Sequence, residues 1–404
     1  TASHNVGVGY KALCSTTTGA QNTASGYNPL RKNTTGSNNV AIGTMSLYEN
    51  TTGCQNTGIG KCALGKNTTA SHNTAIGAEA MKCNTTGNGN SASGYAALKI
   101  NSTGCCNTAV GYHALLQNTS GCFNSGLGKS ALQNTTTGHS NAAVGFSAMH
   151  CNTTGSDNVA LGVCALLVST TGAENVAIGQ RSMCSNTTGA TNVAVGQQAL
   201  VKNTTASNNT AIGKSSMHDN TTGASNTAVG RNALNLNTTA SLNTAIGAQS
   251  LASNTTGNSL VAVGYCSLKT NTTGSDNVAI GVESLRFNTT GASNVAVGKD
   301  AGQCNTTANN NVAIGLKASI LNKTGTGNVS VGACAAYNSI CGNITAFGSQ
   351  ALLTNTTGVY NTAIGTNSHL YLTTANNNTA VGFNSSKKNT TGNRNTTIGS
   401  QVFE

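Results

Sequence analysis

Asparagine followed by any residue and then Ser or Thr is the acceptor for N-glycosylation, and this 404-residue chain is crowded with it. Eighteen acceptors share one register: Asn33, Asn50, Asn67, Asn84, Asn101, Asn118, Asn152, Asn186, Asn203, Asn220, Asn237, Asn254, Asn271, Asn288, Asn305, Asn322, Asn355 and Asn389. Asn134, Asn328, Asn343, Asn384 and Asn395 satisfy the motif outside that register. A second chemistry is oxidation. Among 14 cysteines, Cys105 and Cys122 lie 17 residues apart, the spacing at which the acceptors recur, so a fold that stacks this interval brings them within disulfide reach. Turnover chemistry finds little to use. The seven His are scattered, and no nucleophile, base and acid recur together. No CxxC or Cys/His cluster suggests a metal. We expect no enzyme, cofactor or metal site.

The interval is 17 residues. Taking the glycine of AIG or AVG as slot 0, it falls at Gly9, Gly26, Gly43 and onward in steps of 17 to Gly332, takes one step of 16 to Gly348, and resumes at Gly365, Gly382 and Gly399. Of these 24 copies, 22 carry Asn at slot −4, the exceptions being Leu260 and Ile344. Slot −2 is small, slot −1 mostly Ile or Val, slot +3 Ala or Ser, and slot +4 Leu or Met through the first 17 copies. Slots +7 to +10 spell NTTG or a variant.

Each column has a physical reading. VAI and TAV are short, β-branched and apolar, which suits a strand. Slot 0 marks a corner where a side chain would clash or φ must be positive. NTTG is turn chemistry. Its glycine is Ala at 70, 206, 240, 308 and 375, so that slot does not require positive φ. One copy buries about three apolar side chains and cannot fold alone, whereas stacked copies share a continuous core. The period fits one coil of a parallel β-solenoid with two short strands and two corners. The 24 coils, spaced about 4.8 Å, would make a rod on the order of 115 Å long. The slot −4 asparagines should form a ladder of side-chain amides. Slots −1 and +4 should be interior, including Ile178, Val195 and Ile212 with Met183, Leu200 and Met217, so that Ile212→Asp should cost several kcal/mol.

Composition narrows the functions. The net charge of +11 comes from 20 Lys and Arg against 9 acids, and only 7% of residues are charged. It is not concentrated among stacking aromatics, as nucleic-acid binding requires. No apolar run could span a membrane. The cysteine count fits an oxidising location. A single domain over 1–404 is expected, with uncapped ends. Glu404 and Thr1 lie three slots apart in phase, so chains could stack head to tail.

NVAIGVES (Asn277 to Ser284) and NVAIGQRS (Asn175 to Ser182) resemble the head repeats of YadA-type trimeric autotransporter adhesins, whose motif reads NSVAIGxxS. The match covers slots −4 to +3 of nearly every copy, about half of each repeat. The longer NTTGxxNTAVGxxAL wording is similar to repeats of phage tail-fibre-like and large surface proteins. The resemblance implies a left-handed parallel β-roll, a homotrimer and a role at cell or virion surfaces. The period departs from that family because of the added NTTG loop.

The expected function is structural: an extracellular fibre or filament built by axial stacking. An adhesin or tail-fibre shaft that binds surface glycans is the alternative. Ice binding by recurrent Thr pairs such as Thr34-Thr35 is a minor one, since adjacent Thr on a strand point to opposite faces.

Overall fold

The fold follows from a three-residue strand that alternates its side chains. In the computed structural model, which describes residues 2–403, every copy contributes one such strand, and no helix occurs among the described residues. The chain divides into two compact units, residues 1–205 and 206–404. The first holds twelve strands, from β1 (Val6–Val8) to β12 (Val193–Val195). The second holds another twelve, from β13 (Thr210–Ile212) to β24 (Thr396–Ile398). Within each unit successive strands pair in parallel and in strict register. Val176, Ala177 and Ile178 face Val193, Ala194 and Val195, and Thr227, Ala228 and Val229 face Thr244, Ala245 and Ile246. This is a parallel β-solenoid with 17 residues per coil. The missing residue before Gly348 is taken up in a loop, since Val329 to Val331 still pair with Thr345 to Phe347.

Each coil has one regular strand, not two. Slots +1 to +6 form consecutive turns in which slots +2 and +4 are left-handed although they are rarely glycine: Gln198 has φ 56° and Leu200 φ 52°. Such residues cost of order 1 kcal/mol each. Axial bonds hold them there, as when the Leu47 N–H donates to Ala63 O at 2.9 Å and the Glu49 N–H to Gly65 O at 3.0 Å. Slot 0 does require glycine. Gly179 has φ +126°, and a Cβ there would stand 2.6 Å from the carbonyl oxygen of Gly196 in the next coil. The NTTG glycine, by contrast, lies outside the left-handed region, as its alanine replacements imply.

The core expectation holds at slot +4 and fails at slot −1. Met183, Leu200 and Met217 are fully buried. Ile178 and Val195 are half-buried, and Ile212 is 40% exposed. Strand alternation explains the reversal: the slot −2 alanine points inward, so slots −3 and −1 must point outward. The interior is therefore Ala at −2, Ala or Ser at +3, and Leu or Met at +4. The phase argued for Glu404 and Thr1 lies outside the described residues.

Leu234→Ala, at a fully buried position, should cost about 2–5 kcal/mol in equilibrium unfolding. In the single, unassociated chain Ile212→Asp should cost less than about 1 kcal/mol, because its carboxylate stays in water. Equal losses would place both side chains in the core.

Candidate functional site

The acceptor asparagines occupy the interior. Asn33 through Asn288 of the shared register are fully buried, as is Asn355; Asn305 and Asn322 are nearly so, and Asn389 is half-buried. Their amide nitrogens are engaged. Asn50 Nδ2 donates to Gly53 O at 3.0 Å and to Asn33 Oδ1 of the preceding coil at 2.9 Å. A glycan on Asn50 would have to leave the coil through packed chain: the NTTG loop forms a turn, but its Asn side chain points inward. Of the acceptors outside the register, Asn328 and Asn384 are buried, Asn134 and Asn395 half-buried, and Asn343 exposed.

The slot −4 asparagines form the expected ladder. Asn39 donates its backbone N–H and its Nδ2 to Asn22 Oδ1, at 3.0 and 3.1 Å. The second ladder, at slot +7, was not anticipated. The two converge: Asn22 and Asn33 both donate to Gly36 O, each at 2.9 Å. A signal was available in the sequence, because Asn holds slot +7 almost as steadily as slot −4, but turn propensity explained it too readily.

The places where a ladder is broken follow a rule. Leu260 removes the slot −4 donor, and Asn271 still donates to Gly274 O at 2.9 Å. Ile344 does the same, and Asn355 still reaches Gly358 O at 2.9 Å. Thr135, Ser169 and Leu372 replace the slot +7 donor, and Asn124, Asn158 and Asn361 keep the bond to the carbonyls of Gly138, Gly172 and Ala375, at 2.8, 2.9 and 2.7 Å. The cost falls one coil earlier. Asn118, Asn152 and Asn355, which precede those three replacements, are the slot +7 asparagines whose buried Oδ1 has no partner.

The outer surface of each unit is organised in columns. Slots −3 and −1 present Val or Thr beside Ile or Val, with Ile246 and Ile280 each 41% exposed. Slot +1 carries aromatic stacks. Tyr95 and Tyr112 lie 5.4 Å apart between ring centroids, His113 stacks on Tyr112, and the Lys129 ammonium sits 5.8 Å from the Tyr112 ring. Of the paired threonines, Thr34 spends its hydroxyl on Thr51 O at 3.0 Å.

Among the described residues, titratable groups do not assemble into a reactive set. His150 Nδ1 lies 3.5 Å from Cys151 Sγ, but burial pushes that thiol up, away from an activated thiolate. Among the described residues no three His, Cys, Asp or Glu are placed to hold a metal ion, and no helix is long and apolar enough to cross a membrane. The thiols of Cys105 and Cys122 are brought together, with Sγ atoms 2.8 Å apart. Comparison with protein-family models and with curated proteins finds no match to this chain.

His369 stands at slot +4, where most coils have Leu. It is fully buried and neither ring nitrogen has a hydrogen-bond partner. Burial pushes its imidazole down to about 4, against a smaller opposing effect of the Ser386 backbone. The unfolded chain, with an ordinary His pKa of about 6.5, takes up this proton first as pH falls. Stability should therefore be full above about pH 6.5 and decline as pH drops toward about 4, by about 3 kcal/mol for this group. His369→Leu should flatten that part of the unfolding-versus-pH curve of the second unit; an unchanged slope would mean the ring is not buried as a neutral base.

Proposed function

We propose that this chain is a structural protein of an extracellular fibre, in which coils stack along the axis and like chains pack side by side. The observation that carries this reading is the outward column of Ile and Val at slot −1, repeated in every coil but those with Ser25, Ser93, Leu127, Leu161 and Phe347. Contiguous exposed apolar surface of this extent is uncommon on monomeric soluble proteins and marks association. A partner with the same repeat matches it coil by coil within each unit, which favours a second copy of the chain. The homotrimer implied by the resemblance to YadA-type heads is one such arrangement. Axial growth is supported by the coil-to-coil bonding, which within each unit repeats in the same direction from coil to coil and is hence head-to-tail. An extracellular setting accords with the low charge and the cysteine content.

An adhesin or tail-fibre shaft that engages surface glycans is favoured by the exposed Tyr95–Tyr112 stack with its neighbouring Lys129. It is compatible with the same fibre, so association is tested first. In sedimentation velocity the wild-type chain should run as a multiple of 40.3 kDa. The double variant Ile246→Asp/Ile280→Asp should shift to the single-chain mass with its circular dichroism unchanged. A wild-type chain that stays at single-chain mass at high concentration would remove the lateral fibre reading.

A further inference from the structure

Slot +11 has a geometry of its own. The side-chain heteroatom in one coil is folded back onto the backbone N–H of the slot +11 residue one coil earlier. Ala20 N–H donates to Ser37 Oγ at 3.0 Å, Cys54 N–H to Ser71 Oγ at 3.0 Å, His139 N–H to Ser156 Oγ at 3.1 Å, and Ala292 N–H to Asn309 Oδ1 at 2.7 Å. In these coils the column places a side-chain atom directly against the preceding coil. Cys105 and Cys122 occupy consecutive rungs of it. Cys105 N–H donates to Cys122 Sγ at 3.0 Å, which puts that sulfur 2.8 Å from Cys105 Sγ. Sulfur atoms this close are inside ordinary van der Waals contact, and stacked coils bring their Cα atoms within the range a disulfide spans. Both residues are half-exposed, so an oxidant can reach them.

We propose that Cys105 and Cys122 form an intrachain disulfide that fastens their two coils together, with a small-molecule disulfide as oxidant. The Cys122 sulfur, as thiolate, attacks one sulfur of the oxidant. The oxidant's S–S bond breaks, and the departing thiolate takes up the proton Cys122 has released. Cys105 then gives up its proton and attacks the Cys122 sulfur of the mixed disulfide, expelling the second oxidant thiol. Two protein thiols are oxidised to one disulfide, and one oxidant disulfide is reduced to two thiols. The order follows from Cys105, whose thiol is pushed up to about 12 by the hydrogen bond to Cys122 and by burial. Cys54 is a built-in control. It belongs to the same column, but its neighbouring rungs are Ser37 and Ser71, which offer it a backbone N–H at 3.4 Å and a hydroxyl, not a thiol.

The folded full-length chain is incubated with oxidised glutathione, capped with N-ethylmaleimide, digested without reduction and mapped by mass spectrometry. The expected product links the peptides holding Cys105 and Cys122 and is lighter by two hydrogens, with Cys54 capped or carrying glutathione. The link should persist in Cys106→Ser, and vanish in both Cys105→Ser and Cys122→Ser. Capping of Cys105 and Cys122 in the oxidised wild type would overturn the proposal. So would a link that Cys106→Ser abolishes, because the bond would then run through the adjacent exposed thiol.

Discussion

One buried carbonyl per coil holds this architecture together. It belongs to the residue closing the NTTG turn, and two asparagine amides of the same coil reach it from opposite sides, as Asn56 and Asn67 reach Ala70 O at 2.8 and 3.0 Å. Each of those asparagines is also bonded to its counterpart in the preceding coil, to Asn39 Oδ1 at 3.2 Å and Asn50 Oδ1 at 2.7 Å. Closure of a coil and attachment of one coil to the next are thus carried by the same side chains. A buried amide satisfied in this way is worth about 1 kcal/mol net per bond, whereas an orphaned carbonyl costs about 1–3 kcal/mol. That asymmetry explains why substitutions of one Asn column coincide with an intact donor in the other.

With the polar closure settled, the apolar columns need to do less. Alanine at slots −2 and +3 and leucine at +4 fill a narrow interior, which leaves no room inside for the Ile and Val of slot −1. Those side chains line the outer sheet face. A globular domain would treat this as a liability, whereas in the fibre proposed for this chain it is the lateral contact surface. The weak places in the scheme are the coils where slot +4 is not Leu or Met. At Gly302 the leucine is gone, and at Ser319 the core is polar but satisfied, with Ser319 and Ser330 hydroxyls 2.8 Å apart. At His369 a titratable ring is buried in place of the leucine.

The repeat itself made much of this legible. The period, the parallel stacking, the slot 0 glycine and the slot −4 ladder all follow from columns that can be read before any coordinate. What misled was treating columns by hydrophobicity alone. Ile212 looks like core because it is apolar, but in a strand three residues long Ala211 and Ile212 cannot both face inward. Asn50 looks like a glycan acceptor because a turn exposes its backbone, yet the amide is the turn's internal fastener. Left-handed Gln198 and Leu200 gave no local signal, since axial bonds impose their conformation and neither residue type prefers it. The Cys105–Cys122 contact was readable from spacing; the rung geometry that presses the sulfurs together was not.

The central claim is that two asparagines share one carbonyl and cover for each other. A double-mutant cycle on Asn56 and Asn67 tests it most directly, with Leu as the replacement because Leu260 and Leu372 already stand in these columns. Each single substitution should lower unfolding free energy by about 1–2 kcal/mol, and the loss in the double should exceed the sum of the singles by about 1–3 kcal/mol, as Ala70 O loses its last donor. Losses that simply add would contradict the account, because the two ladders would then stabilise the coil independently.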